Sequence, residues 1–418
     1  MEVLKKIQRF ETEEQPRRNK LQRYYLGEND INRVVKAEGK PNHKISNNYP
    51  KNIVNTTVGY FMGKPVAYDT EDEDLKIAME EITAYNDDDA HNLAIATDLS
   101  KFGIAYELLW VDEDKKVRYT KLDPRTAFVV RKNDIEHTIE CGIYFYDVED
   151  DDKNVTRYVD VYDEAYATHY VVQNGGLVML EQAPHYFGDV PINVYINNEE
   201  TQGDYENVIS KIDAYDTMQS ETVNDFCVFA DAYLFISGMR LADEDIQRMR
   251  ENRVINGEGS AQWLTKQVND TYIENMKTRL DTDIYKLSNT VNMSDKEFAG
   301  NLSGVAMQYK FMNMETRIAV TERNFTKALQ RRFELICNYL NMLGASYDFA
   351  SIKFTFTRNL PQNLLDTATL AQQLQGIAST RTILKLFPFI DDVDAELKEL
   401  ENESGNYPEM GADEDIEE

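Results

Sequence analysis

The feature that most restricts the fold of this 418-residue chain is an apolar pattern at helical spacing lasting from about residue 305 to 343. Phe311, Met314, Ile318, Phe325, Leu329, Ile336, Leu340 and Leu343 recur at steps of three, four or seven, the mark of one buried helix face. At 1.5 Å per residue such a helix is on the order of 55 Å long. A helix of that length has to pack against several partners, in its own chain or in another subunit. Two further segments share the pattern. Between Asp204 and Tyr233 the stripe is Ile212, Tyr215, Gln219, Thr222, Phe226, Phe229 and Tyr233, interrupted only by polar Gln219 and Thr222. A helix over about 266–288 carries Tyr272, Met276, Leu280, Ile284 and Leu287.

Two insertions separate these helices. Residues 231–265 hold a strand-like YLFIS, a capped helix from Asp243-Glu244-Asp245 onward, an Asn256-Gly257 turn and Trp263. Residues 289–304 show no apolar period and contain Gly300 and Gly304, and loops projecting from rigid helices often carry function. Upstream, helices are expected over 46–62 (Ile53, Val54, Val58, Phe61 inward) and 89–102 (Leu93, Ala96, Leu99 inward), the latter stopped by Gly103. From Ile104 the period changes to two. IAYELLWV, VRYTKL, AFVVR, TIECGIYFY, VTRYVDVY, ATHYVV and LVML read as an antiparallel meander of about six or seven strands. Asp112–Lys115 and Asn174-Gly175-Gly176 are its clearest turns.

Charge narrows the class of partner. Against 45 Lys and Arg stand 74 Asp and Glu, a formal charge of −29, which excludes a broad basic surface that coats DNA by neutralising phosphates. The imbalance is uneven: residues 1–64 carry 13 basic and 7 acidic groups, whereas 391–418 carry 13 acidic groups and only Lys398. The terminal EMGADEDIEE reads as a solvated, disordered tail. Three widely spaced cysteines imply no disulfide framework and suit a reducing compartment. The opening MEVLKKIQRFETEEQ lacks the apolar stretch of a signal peptide, and no run of 18 apolar residues marks a membrane span.

Motifs for chemistry are sparse. The five histidines are never closer than 16 residues, so no HxxxH zinc helix is present. Asp87-Asp88-Asp89 and Glu149-Asp150-Asp151-Asp152 lack calcium-loop spacing and read as solvated turns. Gly39-Lys40 and Gly63-Lys64 are each followed by Pro, which rules out a phosphate loop. Gly300-Asn301-Leu302-Ser303-Gly304 misses a nucleophile elbow by one position, and Ser303 reads as the cap of the third helix. That helix is locally basic (Lys310, Arg317, Arg323, Lys327, Arg331, Arg332), mostly a solvated face, with some groups left for acidic neighbours or phosphates. No catalytic residue, cofactor or metal ligand is expected.

Four strings carry a resemblance: RYYLGENDI (23–31), KPNHKISNNYPKNIVNTTVGYFMGKPV (40–66), FGDVPINVYINNEETQGDYENVISKIDAYDTMQSETVNDFCVFADAYLFISG (187–238) and FAGNLSGVAMQYKFMNMET (298–316). Together they resemble the portal proteins of tailed bacteriophages, nearest those of long-tailed phages of Gram-positive bacteria. The likeness covers about residues 20–400 in order. It implies an α+β portal fold with long stem and wing helices, an antiparallel β-rich wing, a small α/β clip and a helical crown. Carried over by order, 1–203 is wing, 204–230 the first stem helix, 231–269 the clip and 270–288 the second stem helix. Residues 289–304 then form the tunnel loop, 305–360 the long wing helix and a strand, 361–403 the crown and 404–418 the acidic tail.

The resemblance also implies a ring of twelve subunits at one capsid vertex, through whose channel double-stranded DNA is packaged and ejected without sequence specificity. Terminase large subunit, head–tail adaptor, major capsid and scaffolding proteins are the implied partners. The virion is the implied location, with assembly in the host bacterial cytoplasm and no membrane association. Asn292, Ser294, Asp295, Lys296, Glu297, Phe298 and Asn301 are then expected at the DNA channel. Met239, Arg240, Arg248, Met249, Arg253 and Trp263 are expected at the clip interface, and Ile212, Tyr215, Phe226 and Phe229 in subunit packing. An acidic wall repels phosphates spaced roughly every 1.7 Å along the duplex axis, which suits sliding over gripping. The competing readings are another structural capsid or scaffold-like protein, or an acid-dependent hydrolase using the Asp/Glu clusters.

Overall fold

The computed structural model of the chain describes residues 2–230, 233–238, 260–264, 270–293, 304–359, 364–387, 390, 393 and 396–400. Two compact units are formed, one of Met1–Met293 with Phe311–Asn359, the other of Ser294–Lys310 with Leu360–Glu418. The first opens with helices α1 (Glu2–Glu13) and α2 (Gln15–Tyr25), then α3 (Tyr49–Phe61), α4 (Glu73–Tyr85) and α5 (Asp88–Phe102). Asn48 caps α3 by accepting from the Lys51 amide, and Asp72 caps α4 by accepting from those of Asp74 and Leu75. α5 stops where expected. Gly103 has φ +78°, and a Cβ there would lie 2.0 Å from the Thr201 carbonyl oxygen, so only glycine fits.

The alternating segment does not make one meander. β2 (Ile104–Val111), β3 (Val117–Leu122) and β9 (Ile192–Ile196) form a three-stranded sheet in the order β3-β2-β9. β4 (Ala127–Arg131), β5 (Ile139–Glu149), β6 (Val155–Tyr162), β7 (Tyr166–Gln173) and β8 (Gly176–Pro184) form a separate five-stranded meander. The sheet breaks at Pro124, between β3 and β4, and β9 returns from beyond the second sheet to pair with β2. Alternation fixes which residues face a core but not which strands become neighbours. The Asn174-Gly175 turn closes β7 on β8 with φ of 51° and 74°, the type I′ geometry that matches strand twist. Short β1 (Ala67–Asp69) pairs with β12 (Lys353–Thr355).

Three apolar cores hold these layers. Phe10 of α1 stacks on Phe128 at 4.7 Å and meets Phe145 edge-on, so α1 lies across the five-stranded sheet. Tyr106, Leu122, Tyr162 and Ile192 share a core with both sheets. The third joins α4 and β3 to α8 (Gly304–Met342), the long helix expected over 305–343. Residues of α8 from Phe311 to Tyr339 supply much of the buried apolar surface. In the second unit, α9 (Leu364–Leu374) is followed by α10 (Thr380–Leu384), capped by Ser379.

Polar groups correct the sequence reading at two places. Asp88, expected in a solvated turn, is buried, and so is Arg332, expected on a solvated face. Arg332 reaches Glu107 Oε1 at 2.7 Å through Nη2, Glu107 Oε2 at 3.1 Å through Nε and Asp88 Oδ1 at 2.8 Å through Nη1. Tyr119 donates to Asp88, Tyr195 and Asn193 donate to Glu107, and His91 lies 2.6 Å from Glu107. Burial alone raises a carboxyl pKa, yet Arg332 and His91 hold Glu107 well below its ordinary value. Leu93, expected inward on α5, is 41% exposed, because the inward face of α5 is used by Asp88, Asn92, Ile95 and Leu99 instead.

Replacing Arg332 by Met leaves two buried carboxylates without their cation and is expected to cost about 3–5 kcal/mol, read as a lower denaturation midpoint. Because the folded pKa of Glu107 is depressed, its contribution is full above its ordinary 4.5 and is lost as pH falls below that. Glu107→Gln should therefore flatten the acid limb of a stability–pH curve relative to the parent chain.

Candidate functional site

Between residues 209 and 287 the described residues form two helices and a pair of strands. α6 (Ile209–Ala230) leads into β10 (Tyr233–Ser237), which pairs antiparallel with β11 (Ser260–Leu264), and α7 (Asp270–Leu287) returns. α6 and α7 pack together with opposite direction: Asn207, just before α6, donates to the carbonyl of Leu287 at the end of α7. Tyr49 wedges this end of the pair. Its ring meets Tyr215 of α6 and Tyr285 of α7 edge-on, and its hydroxyl donates to Asp281 at 2.6 Å. Burial, followed by the Asp281 carboxylate, pushes the Tyr49 phenol far above its usual range.

The face that α6 presents to residues 43–47 is polar. Asp216, Ser220 and Asn224, four residues apart, are all buried and all accept from one extended segment. The Asn47 amide donates to Asp216 at 3.0 Å, the Ile45 amide to Ser220 at 2.9 Å and the His43 amide to Asn224 at 2.7 Å. Four helical residues rise about 6.0 Å and two extended residues span about 6.6 Å, so the two periods nearly coincide over these three rungs. Asn29 and the Asn47 side chain add two more donors to Asp216. Burial still raises the pKa of Asp216 against these hydrogen bonds. Just before α6, Asp204 closes an ion pair with Arg317 of α8 at 2.5 Å and accepts from Asn197.

Sequence reasoning looked for an apolar seam on α6 and missed this ladder. Its signal is the i, i+4, i+8 series Asp216, Ser220, Asn224 beside the Asn-rich string 42–48. Of the residues expected in subunit packing, Ile212 is wholly buried inside the protomer and has no surface left for a neighbour. Tyr215 is half-buried against Tyr49, Phe226 is 74% exposed, and the side chain of Phe229 lies outside the described residues. On α7, Ile284 is buried as expected, but Tyr272 and Leu287 face outward. Among the residues expected at the channel only Asn292 is described; it is half-buried, with Nδ2 3.4 Å from Asp281. Ser294, Asp295, Lys296, Glu297, Phe298 and Asn301 lie outside the described residues, as do Met239, Arg240, Arg248, Met249, Arg253 and the cap Ser303. Trp263 is placed by its backbone alone, opposite Leu234 in the hairpin.

Other concave features do not gather these residues. A cleft of about 440 Å³ is walled by apolar groups, among them Trp110, Tyr162, Tyr186, Met342 and Leu343. Among the described residues no three His, Cys, Asp or Glu side chains converge as a metal site, and no helix is long and apolar enough to cross a membrane.

The sequence profile described as "Phage portal protein, SPP1 Gp6-like" matches residues 4–409, nearly the whole chain. This protein therefore belongs to the SPP1 Gp6-like family of phage portal proteins, which are structural components of phages. The portal protein of Bacillus phage SPP1 is 25% identical over 440 residues, covering 95% of this chain and 87% of that one. The portal protein of Clostridium phage phiCD119 is 24% identical over 409 residues, covering 89% of each.

Removing the first rung, the one with the most donors, tests the ladder. Asp216→Ala leaves the Asn29, Asn47 side-chain and Asn47 backbone donors without their acceptor, a loss of about 1–3 kcal/mol. The amides of residues 43–47 should then exchange with deuterium faster, while exchange in the five-stranded sheet stays unchanged.

Proposed function

We propose that this protein assembles as a ring of twelve subunits at one capsid vertex and forms the channel through which double-stranded DNA is packaged and ejected. The observation that carries this reading is the family match over residues 4–409. The excursion of residues 209–287 supports it physically. An antiparallel helix pair rooted at Tyr49 and capped by a β-hairpin has the form of a stem that carries a clip away from the wing. At 1.5 Å per residue, the 22 residues of α6 extend roughly 33 Å. The two helices together hold eight acidic groups and four basic ones, an excess that weakens the hold on passing phosphates.

In this reading 289–304 is the tunnel loop that touches the duplex and 361–403 the crown. Residues Met239 to Trp263 present the clip surface to terminase and afterwards to the head–tail adaptor. The work of packaging comes from a partner ATPase, and this chain is the conduit. Phe226, exposed on the protomer, is the stem residue best placed to meet a neighbouring subunit. Assembly takes place in the bacterial cytoplasm, next to scaffolding and major capsid proteins.

Two measurements test the proposal. Light scattering should give a particle near twelve times the 48.4 kDa chain. In a reconstituted capsid, motor and portal system, Lys296→Glu should leave the ring intact and lower nuclease-protected DNA at matched portal occupancy. Wild-type packaging by that variant would remove the tunnel-loop role from 289–304, and a chain that stays monomeric would remove the ring.

A further inference from the structure

The long helix carries an outward stripe that nothing described in its own chain covers. Met312, Thr316, Val320, Arg323 and Lys327 of α8 follow one another at steps of three and four, and all are exposed. Met312 is 60% and Val320 46% accessible, an unusual cost for large apolar groups unless something seats on them. The cations beside them are equally unspent. Arg317 pairs with Asp204, Arg331 with Asp189, Arg332 with Glu107 and Arg358 with Glu315. Among the described residues, Arg323 and Lys327 have no ion-pair partner.

A second stripe, of opposite sign, lies on α4. Leu75 and Met79 are buried in the core that also contains Phe333, Ile336 and Cys337 of α8. That packing turns Glu73, Asp74, Ile77, Glu80 and Glu81 to the solvent. Ile77 is 55% exposed at the centre of the stripe, and among the described residues none of its four carboxylates has a cation partner. The helix has a single base, Lys76, on its half-buried flank.

The two stripes match in kind, each an apolar centre with unspent charge of one sign, and they do not serve each other within the chain. At 100° per residue, the α8 residues that share a core with α4 are roughly a third of a turn from the Met312–Lys327 stripe. The acidic face of α4 points away from that shared core. A two-fold contact would set acid on acid or base on base. A contact of the acidic stripe on the basic one is heterologous: each copy offers both halves, so the contact passes from copy to copy and ends only on closing a ring.

We propose that the Glu73–Glu81 face of α4 in one subunit docks on the Val320–Lys327 face of α8 in the next, with Ile77 against Val320 and Glu80 and Glu81 toward Arg323 and Lys327. This inference rests on the ring-forming reading above and names two surfaces that build the ring. Charges on such a rim are screened over about 8 Å at physiological ionic strength, so assembly should weaken with added salt.

Disulfide capture on the full-length chain tests it. The double variant Glu81→Cys with Lys327→Cys should, on mild oxidation, give a ladder of covalent multimers on a denaturing gel. A mixture of the two single variants should stop at dimers, because each chain then offers only one half of the contact. The parent chain, with its own three cysteines, supplies the background. Native mass spectrometry is run in parallel on Arg323→Glu with Lys327→Glu. The ring population of that variant should fall roughly tenfold, as like charges replace an attractive rim, and Glu80→Lys with Glu81→Lys in the same chain should restore it. A parent chain that forms rings, with no ladder above background and no response to charge reversal, would overturn this contact while leaving the ring reading standing. A covalent dimer above background from either single variant alone would overturn it in favour of a two-fold contact. A parent chain that forms no ring at any concentration would overturn the ring reading, and this contact with it.

Discussion

A guanidinium withdrawn completely from water is the constraint on which much of this structure depends. Arg332 sits near the C-terminal third of a 39-residue helix and is satisfied by Glu107, Asp88 and Asn92 from β2 and α5. Desolvating an arginine is tolerable only when its hydrogen bonds are met by opposite charge in fixed geometry. Sliding α8 by one turn, about 5.4 Å, would strand the cation and both carboxylates, so this cluster sets the register of the longest element against the three-stranded sheet. The phenols of Tyr119 and Tyr195 complete it, and the Arg332 guanidinium lies 4.7 Å from the centroid of the Tyr119 ring. Further along the same helix, Arg317 on Asp204 ties α8 to the root of α6. α8 is thus tied to the rest of the fold by charge as well as by apolar packing.

Beyond Ile212 and Tyr215 at its first turns, α6 is fixed to its own chain largely by polar groups. The ladder of Asp216, Ser220 and Asn224 holds residues 43–47 through backbone amides, and the near equality of a four-residue helical rise and a two-residue extended rise makes the fit. Amide donors are present at every non-proline residue, so the acceptors on α6, rather than the strap's side chains, determine which segment is held. Phe226 is left at the surface as a consequence.

Much of the element order was legible in the sequence. The helix 304–342, the strand runs from Ile104 onward, the Asn174-Gly175 hairpin and the Gly103 stop are each written in local patterns that act through the backbone of a few residues. The resemblance to portal proteins was legible too, since it rests on multi-residue strings. The division of the strands into two sheets was not. β9 pairs with β2 across some eighty residues, and local alternation says nothing about a partner so distant.

What the sequence by itself determined, then, is the periodicity of each segment, the places where chain direction must change, and the family to which the chain belongs. Only the tertiary structure decided the fate of the polar groups. Asp88 reads as part of an acidic run and Arg332 as one of six bases on a helix, yet both end in the same buried cluster. Arg323 and Lys327, indistinguishable from Arg332 in the sequence, stay in water. The physical reason is that an apolar side chain gains from leaving water almost wherever it goes, whereas a charge gains only against a specific partner. That partner is supplied by an element more than two hundred residues away.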